Sequence, residues 1–342
     1  MDPLTWLSLG LQLAALCSIV GALLLYLLRK VRVAEVAPLD SAKTVLVTSV
    51  DTALGLQIAT YLSGRGWRVI AGCKPGGLGA RLAESWLQAH AASTPEDQPP
   101  PRLATLELDV AREDLLDEAA RATAQHLPAG EHGIWAVINT AGCSGRGDAS
   151  CWDGALRANV LGALRVAKTF CPLLAAAAAD HPHAGRLFYI GLTSDTACES
   201  LSRLDAEPGA GGAGCAGAAA ARWGTWGAAR ALQSELRCKR LHVVLLHAPD
   251  LAAAEIYAPP VLLTPQSQPA SRPDTPNSGV SASTTCAVTM PGDAAEYCAK
   301  VLPTAALKLL EESLTTPSPR DCYYLKVKQD SWFTRMPSLR VA

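Results

Sequence analysis

The stretch TVLVTSVDTALGLQIATYLSGRG, residues 44–66, decides the fold. Its opening TVLVTSV is a β-branched run of the buried-strand type. A turn follows, and LGLQIATYLSGRG then takes up a helical period. WRVIAGC (67–73) reads as a second strand. Strand, helix and strand in so short a span predict a parallel crossover unit, with the turn after the first strand at the working edge of a sheet.

The same rhythm continues outward. LATLELDV (103–110), IWAVINTAG (134–142), GRLFYIGL (185–192) and LHVVLLHAPD (241–250) read as further strands. ALRANVLGALRVAKTFCPLLAAAAA reads as one long helix, and WGTWGAARALQSELR as another. The fold class is therefore α/β: a doubly wound parallel sheet with helices on both faces, in one domain over residues 44–330. Two stretches break the rhythm. Residues 195–221 are Gly/Ala-rich and read as an insertion, and residues 258–292, rich in Pro, Ser and Thr, read as a mobile loop. A last helix near 303–313, the segment CYYLKVK and a tail over 331–342 complete the chain, with no internal repeat.

The 342 residues carry a net charge of -1, which argues against nucleic acid as a partner. The 11 cysteines include no CxxC pair and read as reduced thiols, and no metal site is expected. From Pro3 to Leu28 there is no charged side chain, enough to cross a hydrocarbon core of roughly 30 Å. Trp6 and Tyr26 are spaced to sit at its two interfaces, and Arg29, Lys30 and Arg32 follow it. Residues 1–32 are thus predicted to anchor the chain in a membrane with the body facing the cytosol, joined by a linker over 33–43. The competing reading is an apolar helix packed on the body or within an oligomer.

TSVDTALG after the first strand, LDV at the end of the third, NTAG after the fourth and ANVLGAL in the next helix resemble, in this order and spacing, the short-chain dehydrogenase/reductase family. The membrane-anchored branch of retinol and 11β- and 17β-hydroxysteroid dehydrogenases looks closest. The resemblance covers residues 44–257 well and 295–330 loosely. It implies a Rossmann-like fold, NADP or NAD as cofactor, a lipophilic alcohol or ketone as substrate, pairing into a homodimer, and the endoplasmic reticulum as the membrane.

The resemblance also assigns positions. Thr48 and the family's three glycine sites, here Ser49, Ala53 and Gly55, would form the turn that cradles the cofactor pyrophosphate. Ser49 must tolerate a backbone that glycine takes easily, and Ala53 adds a methyl facing the phosphates, so both count against dinucleotide binding. A tight strand–helix turn without a ligand reads equally well. Lys74 falls where a basic residue marks NADP preference, or is a surface lysine. Asp109 matches an aspartate near the adenine, or caps the helix starting near Glu113. Asn139, Ala141 and Gly142 are retained beside the cofactor. Thr140 replaces an asparagine and lacks the amide's paired donor and acceptor. Asn159 matches the asparagine that supports a catalytic water chain, or merely kinks its helix.

The catalytic positions depart from the family. Leu192 stands at the serine, Arg222 at the tyrosine and Trp226 at the lysine. Arginine stays protonated and cannot shuttle a proton, and leucine and tryptophan cannot supply the missing groups. Thr193 and Ser194 could offer a hydroxyl only by a register shift. Tyr324 and Lys328 satisfy YxxxK but read as strand residues. Pro249-Asp250 replaces a Pro-Gly, and Ala254 a cofactor-binding threonine. His181, His183, His242 and His247 make no full ligand set. Two functions follow: a pseudoenzyme that binds a lipophilic ligand, a nucleotide or a protein partner, or an atypical NAD(P)-dependent oxidoreductase on a retinoid, steroid or other lipophilic alcohol.

Overall fold

A computed structural model describes residues 12–13, 15–22, 43–93, 100–145, 149–192, 215–248, 251, 253–263, 287–289 and 296–326. The contacts divide the chain into two units, residues 1–41 and 42–342.

In the first unit, residues 12–13 and 15–22 are helical. Leu13, Leu16, Ile19 and Val20 are 65%, 60%, 66% and 56% exposed, so the described part of this helix presents an apolar surface. The remaining residues of the predicted anchor, and the linker as far as residue 42, lie outside the described residues.

The second unit is built on seven strands: β1 (Thr44–Val47), β2 (Arg68–Cys73), β3 (Arg102–Glu107), β4 (Ala136–Asn139), β5 (Arg186–Leu192), β6 (His242–His247) and β10 (Cys322–Tyr324). Their order in the sheet is β10-β6-β5-β4-β1-β2-β3, and every pairing is parallel. The order reverses between β1 and β4, so the doubly wound sheet has its switch point beside the TSVDTALG turn. Ile70, Leu46, Val137, Leu187 and Val243 stand in register across five strands, forming one buried row. Side chains alternate along a strand, so this row faces one side of the sheet. Helices α3 (Glu113–Gln125), α5 (Gly162–Asp180) and α6 (Cys215–Leu236) cover it with Leu116, Phe170 and Leu232. Helix α1 (Ala53–Gly64) packs against α2 (Leu78–Ser93) and α8 (Thr304–Thr315).

Three features depart from the sequence reading. The single long helix is α4 (Ala149–Ala155), a π-helical segment over Leu156–Leu161, and α5. The wider π turn centres on Asn159, whose side chain leaves the helix for a loop. The Gly/Ala-rich insertion is shorter than its composition suggested, because residues from Cys215 onward form the first turns of α6, as suits alanine; residues 195–214 lie outside the described residues. The ends of the Pro/Ser/Thr-rich loop are ordered strands: β7 (Val261–Leu263) and β8 (Ala287–Thr289) flank β9 (Glu296–Cys298) antiparallel. Strands of three residues are too short for their period to be read.

Long-range polar ties lock α8 to the sheet. Gln57, buried on α1, donates to the Leu302 carbonyl at 2.8 Å and accepts the Val301 and Leu302 N–H groups. Arg186, fully buried, donates to the carbonyls of His183, Ser313 and Thr316, the last two at the carboxyl end of α8. That end carries partial negative charge and suits a cation. Burial still pushes the Arg186 guanidinium down to about 10.

The apolar run Ser150–Asp180 is the one described helix long and apolar enough to cross a membrane, but Val166, Phe170 and Leu174 within it are core residues of the sheet.

Candidate active site

The candidate site lies where the carboxyl ends of β1, β4 and β5 meet α1, the π segment and α6. Its centre is a hydrogen-bond lattice between β1 and β4. Thr48 Oγ1 donates to Asn139 Oδ1 at 2.8 Å and accepts the N–H groups of Thr140 and Ala141. Thr140 Oγ1 donates to the Ser49 carbonyl at 2.8 Å and accepts the Ser49 N–H at 3.1 Å. One hydroxyl thus does both jobs expected of the amide it replaces, which corrects the sequence reading. All five residues are buried. Ser49 is not strained either: among the described residues only Arg240 is a non-glycine with positive φ.

Gly55 is required by a close approach. A Cβ there would lie 1.7 Å from the Ser49 carbonyl oxygen. Thr52 caps α1 by accepting the Gly55 N–H at 3.0 Å, and its carbonyl accepts from Leu56. The Ala53 N–H, the outermost donor of the helix, bonds the Ala258 carbonyl at 2.8 Å. Three of the four N–H groups at that end of α1, those of Ala53, Gly55 and Leu56, are therefore satisfied by the chain itself. Ala258 follows α7 (Ala253–Ile256) and Tyr257, and Ala254 sits within that helix.

Tyr257 closes the other side. A Cβ on Gly142 would lie 2.4 Å from Tyr257 Cε1 and 2.7 Å from Asn159 Oδ1, so the tyrosine ring lies directly against the NTAG loop. Asn159 does more than kink its helix. Its amide accepts the Cys143 N–H and donates to the Cys143 carbonyl, at 2.8 and 2.9 Å. Its own carbonyl accepts the Thr225 hydroxyl at 2.9 Å.

Helix α6 carries Arg222 and Trp226 into this region. Arg222 is 3% exposed, and its Nη1 and Nη2 lie 3.4 and 3.3 Å from the Leu251 carbonyl, which they donate to. Trp226 packs against the core and meets Trp223 edge to face at 5.6 Å. Leu192 ends β5 and pairs with His247 across a bulge. Thr193, Ser194, Pro249 and Asp250 lie outside the described residues.

The outer candidates serve the turns. Lys74 is exposed, and its N–H, with that of Gly79, donates to the Asp51 carboxylate, tying the turn after β2 to the turn after β1. Asp109 accepts the Ala111 N–H at 3.0 Å, in the turn that leads into α3 rather than at the cap itself. His247 stacks on Tyr324, which lies in β10; Lys328 lies outside the described residues. Among the described residues no group of three or more His, Cys, Asp or Glu could hold a metal ion. Sequence reasoning missed Ala258, Tyr257, Leu251 and Thr225, which no motif marks.

Two contacts crowd the place where the resemblance puts a dinucleotide: the Ala53 N–H is bonded to Ala258, and the Tyr257 ring lies against the glycine of the NTAG loop.

A family model described as short chain dehydrogenase matches residues 43–190. The chain is 31% identical over 168 residues to D-beta-hydroxybutyrate dehydrogenase, mitochondrial, of Bos taurus, covering 45% of each chain. It is 30% identical over 154 residues to Retinol dehydrogenase 16 of Mus musculus, covering 43% of this chain and 44% of that one. The matches thus span less than half the length of these curated relatives. A metagenomic short-chain oxidoreductase, solved in complex with NADP, shares the fold with a TM-score of 0.51 at 15% identity, covering 84% of this chain and 98% of that one. The match over residues 43–190, with the parallel sheet those residues help to build, gives the chain a segment similar to the short-chain dehydrogenases on a Rossmann-like fold.

Proposed function

We propose that this chain is a short-chain dehydrogenase scaffold, held at a membrane, that binds rather than transfers hydride. The observation that carries the reading is Arg222, a buried cation donating to the Leu251 carbonyl where the resemblance places a proton-shuttling tyrosine. A guanidinium keeps all its protons at working pH and so cannot shuttle one. General acid–base catalysis contributes about 10²–10⁴-fold, and Leu192 and Trp226 offer no substitute group. The bond from the Ala53 N–H to Ala258 at the start of α1 supports the same reading for the cofactor. The apolar N-terminal stretch supports a single-pass anchor with the body in the cytosol, and the resemblance points to the endoplasmic reticulum. The names of the retinol and hydroxysteroid dehydrogenase relatives suggest a lipophilic ligand of the retinoid or steroid class, and the family resemblance adds a second copy of the chain as a partner.

A second reading, an atypical NAD(P)-dependent oxidoreductase on a lipophilic alcohol or ketone, is favoured by the intact Thr48–Asn139 lattice and by the NADP held by the metagenomic relative. It requires Ala258 to release the Ala53 N–H.

The test uses the full chain in neutral detergent, titrated with NADPH and NADH while energy transfer from its tryptophans is followed. The expected result is no saturable binding and no consumption of either cofactor with retinal or a ketosteroid. Saturable binding with turnover sinks the proposal. The triple variant Leu192→Ser, Arg222→Tyr, Trp226→Lys is expected to stay inactive, because Ala258 still occupies the Ala53 N–H and Thr225 the Asn159 carbonyl.

A further inference from the structure

A cavity of about 360 Å³ opens at the opposite edge of the sheet, at the amino end of β6. Its walls are the carboxyl end of α6 with Arg237 and Arg240, the residues Leu241–Val244 that open β6, and the turn 318–321 with Arg320 and Asp321. Ligands of doubly wound sheets bind at the carboxyl ends of the strands, so this cavity is no part of the family's cleft.

Arg237, Arg240 and Arg320 are all exposed, and among the described residues none of the three guanidiniums makes a hydrogen bond or an ion pair. His242 adds an imidazole, and Asp321 is the one carboxylate on the wall. Arg240 is unusual in a second way. It follows the short 3₁₀ turn Arg237–Lys239 with φ 59, the left-handed conformation that closes a helix and normally selects glycine. Side chains held there against their preference cluster at functional positions. A guanidinium fork matches phosphate oxygens two at a time. The volume falls at the lower end of small-molecule sites, roughly 300–1,000 Å³, and suits a compact head group.

We propose that this cavity binds a phosphate-bearing anion through Arg237, Arg240 and Arg320. Two sources share that chemistry: the head group of an anionic phospholipid and a soluble phosphate ester. β1 starts at Thr44 on the same edge of the sheet, three strands from β6, or about 14 Å at the usual strand spacing. The first strand of the sheet therefore begins close to the cavity.

Hydrogen exchange of the full chain in neutral detergent tests the site. It is read at residues 237–244 and 318–321 with inorganic phosphate, short-chain phosphatidic acid, or short-chain phosphatidylcholine as the neutral control. Either anion should slow exchange at both segments. Stronger protection by phosphatidic acid than by phosphate supports the lipid source, and equal protection supports a soluble ester. Each arginine removed should weaken binding about fivefold. Arg240→Gly removes a charge while relaxing the backbone, and Arg237→Gln with Arg320→Gln removes two more at exposed positions. No protection by either anion, or unchanged affinity in both folded variants, overturns the proposal.

Discussion

The two edges of the sheet treat their polar groups in opposite ways. At the carboxyl edge, several polar groups around the candidate site are bonded within the chain: Ala53 to Ala258, Asn159 to Cys143 and Thr225, Arg222 to Leu251. At the amino edge, three guanidiniums around a cavity have no such partner among the described residues. The difference teaches where to look for a ligand. A satisfied cleft gains little by binding, because a new hydrogen bond must replace an old one. A cluster of unpaired like charges gains by taking up an anion.

The contrast is broken most severely by Gly55→Ala. The added methyl meets the Ser49 main chain, and the variant is expected to lose roughly 4 kcal/mol or to fail to fold, as read by denaturant unfolding. Thr48→Val comes next. It strands the Thr140 and Ala141 N–H groups and the Asn139 amide oxygen, at a cost of about 3 kcal/mol in the same measurement. At the other edge Arg240→Gly should go the opposite way, neutral or stabilising by about 1 kcal/mol, since glycine adopts its φ freely.

The smallest effect is a pH slope. His242 is held below its ordinary value of 6.5, first by burial and then by Arg186, with His183 and Arg237 adding to the fall and Asp321 opposing it. A base with a depressed folded value gives stability that is fully present above the unfolded value and lost as pH falls through the folded one. The unfolding temperature should therefore drop as pH is lowered from neutral to below 6.5, and His242→Gln should flatten that part of the profile.

The sheet was legible because its strands are buried on both faces and read as unbroken β-branched runs; β1 is buried at every residue. The resemblance, through its retained motifs, sets the frame in which Arg222 and Trp226 read as out of place. What closes the cleft was not. Ala53 and Ala258 lie far apart in sequence, and a main-chain bond between them leaves no mark on side-chain type. Thr140 looked deficient because its two roles depend on the distance to Ser49, not on its identity. Arg186 looks like a charge at a strand end and becomes a core residue only because α8 ends upon it.

The ties of Gln57 and Arg186 to α8 also set an order of events during synthesis. Their partners lie 245 and up to 130 residues further along the chain. A ribosome delivers the glutamine and the arginine long before the carbonyls that satisfy them. The nascent sheet must then wait, with a cation and an amide exposed at its heart, until α8 emerges. A chain stopped short of that helix would keep the matched segment whole and leave Gln57 and Arg186 without these partners.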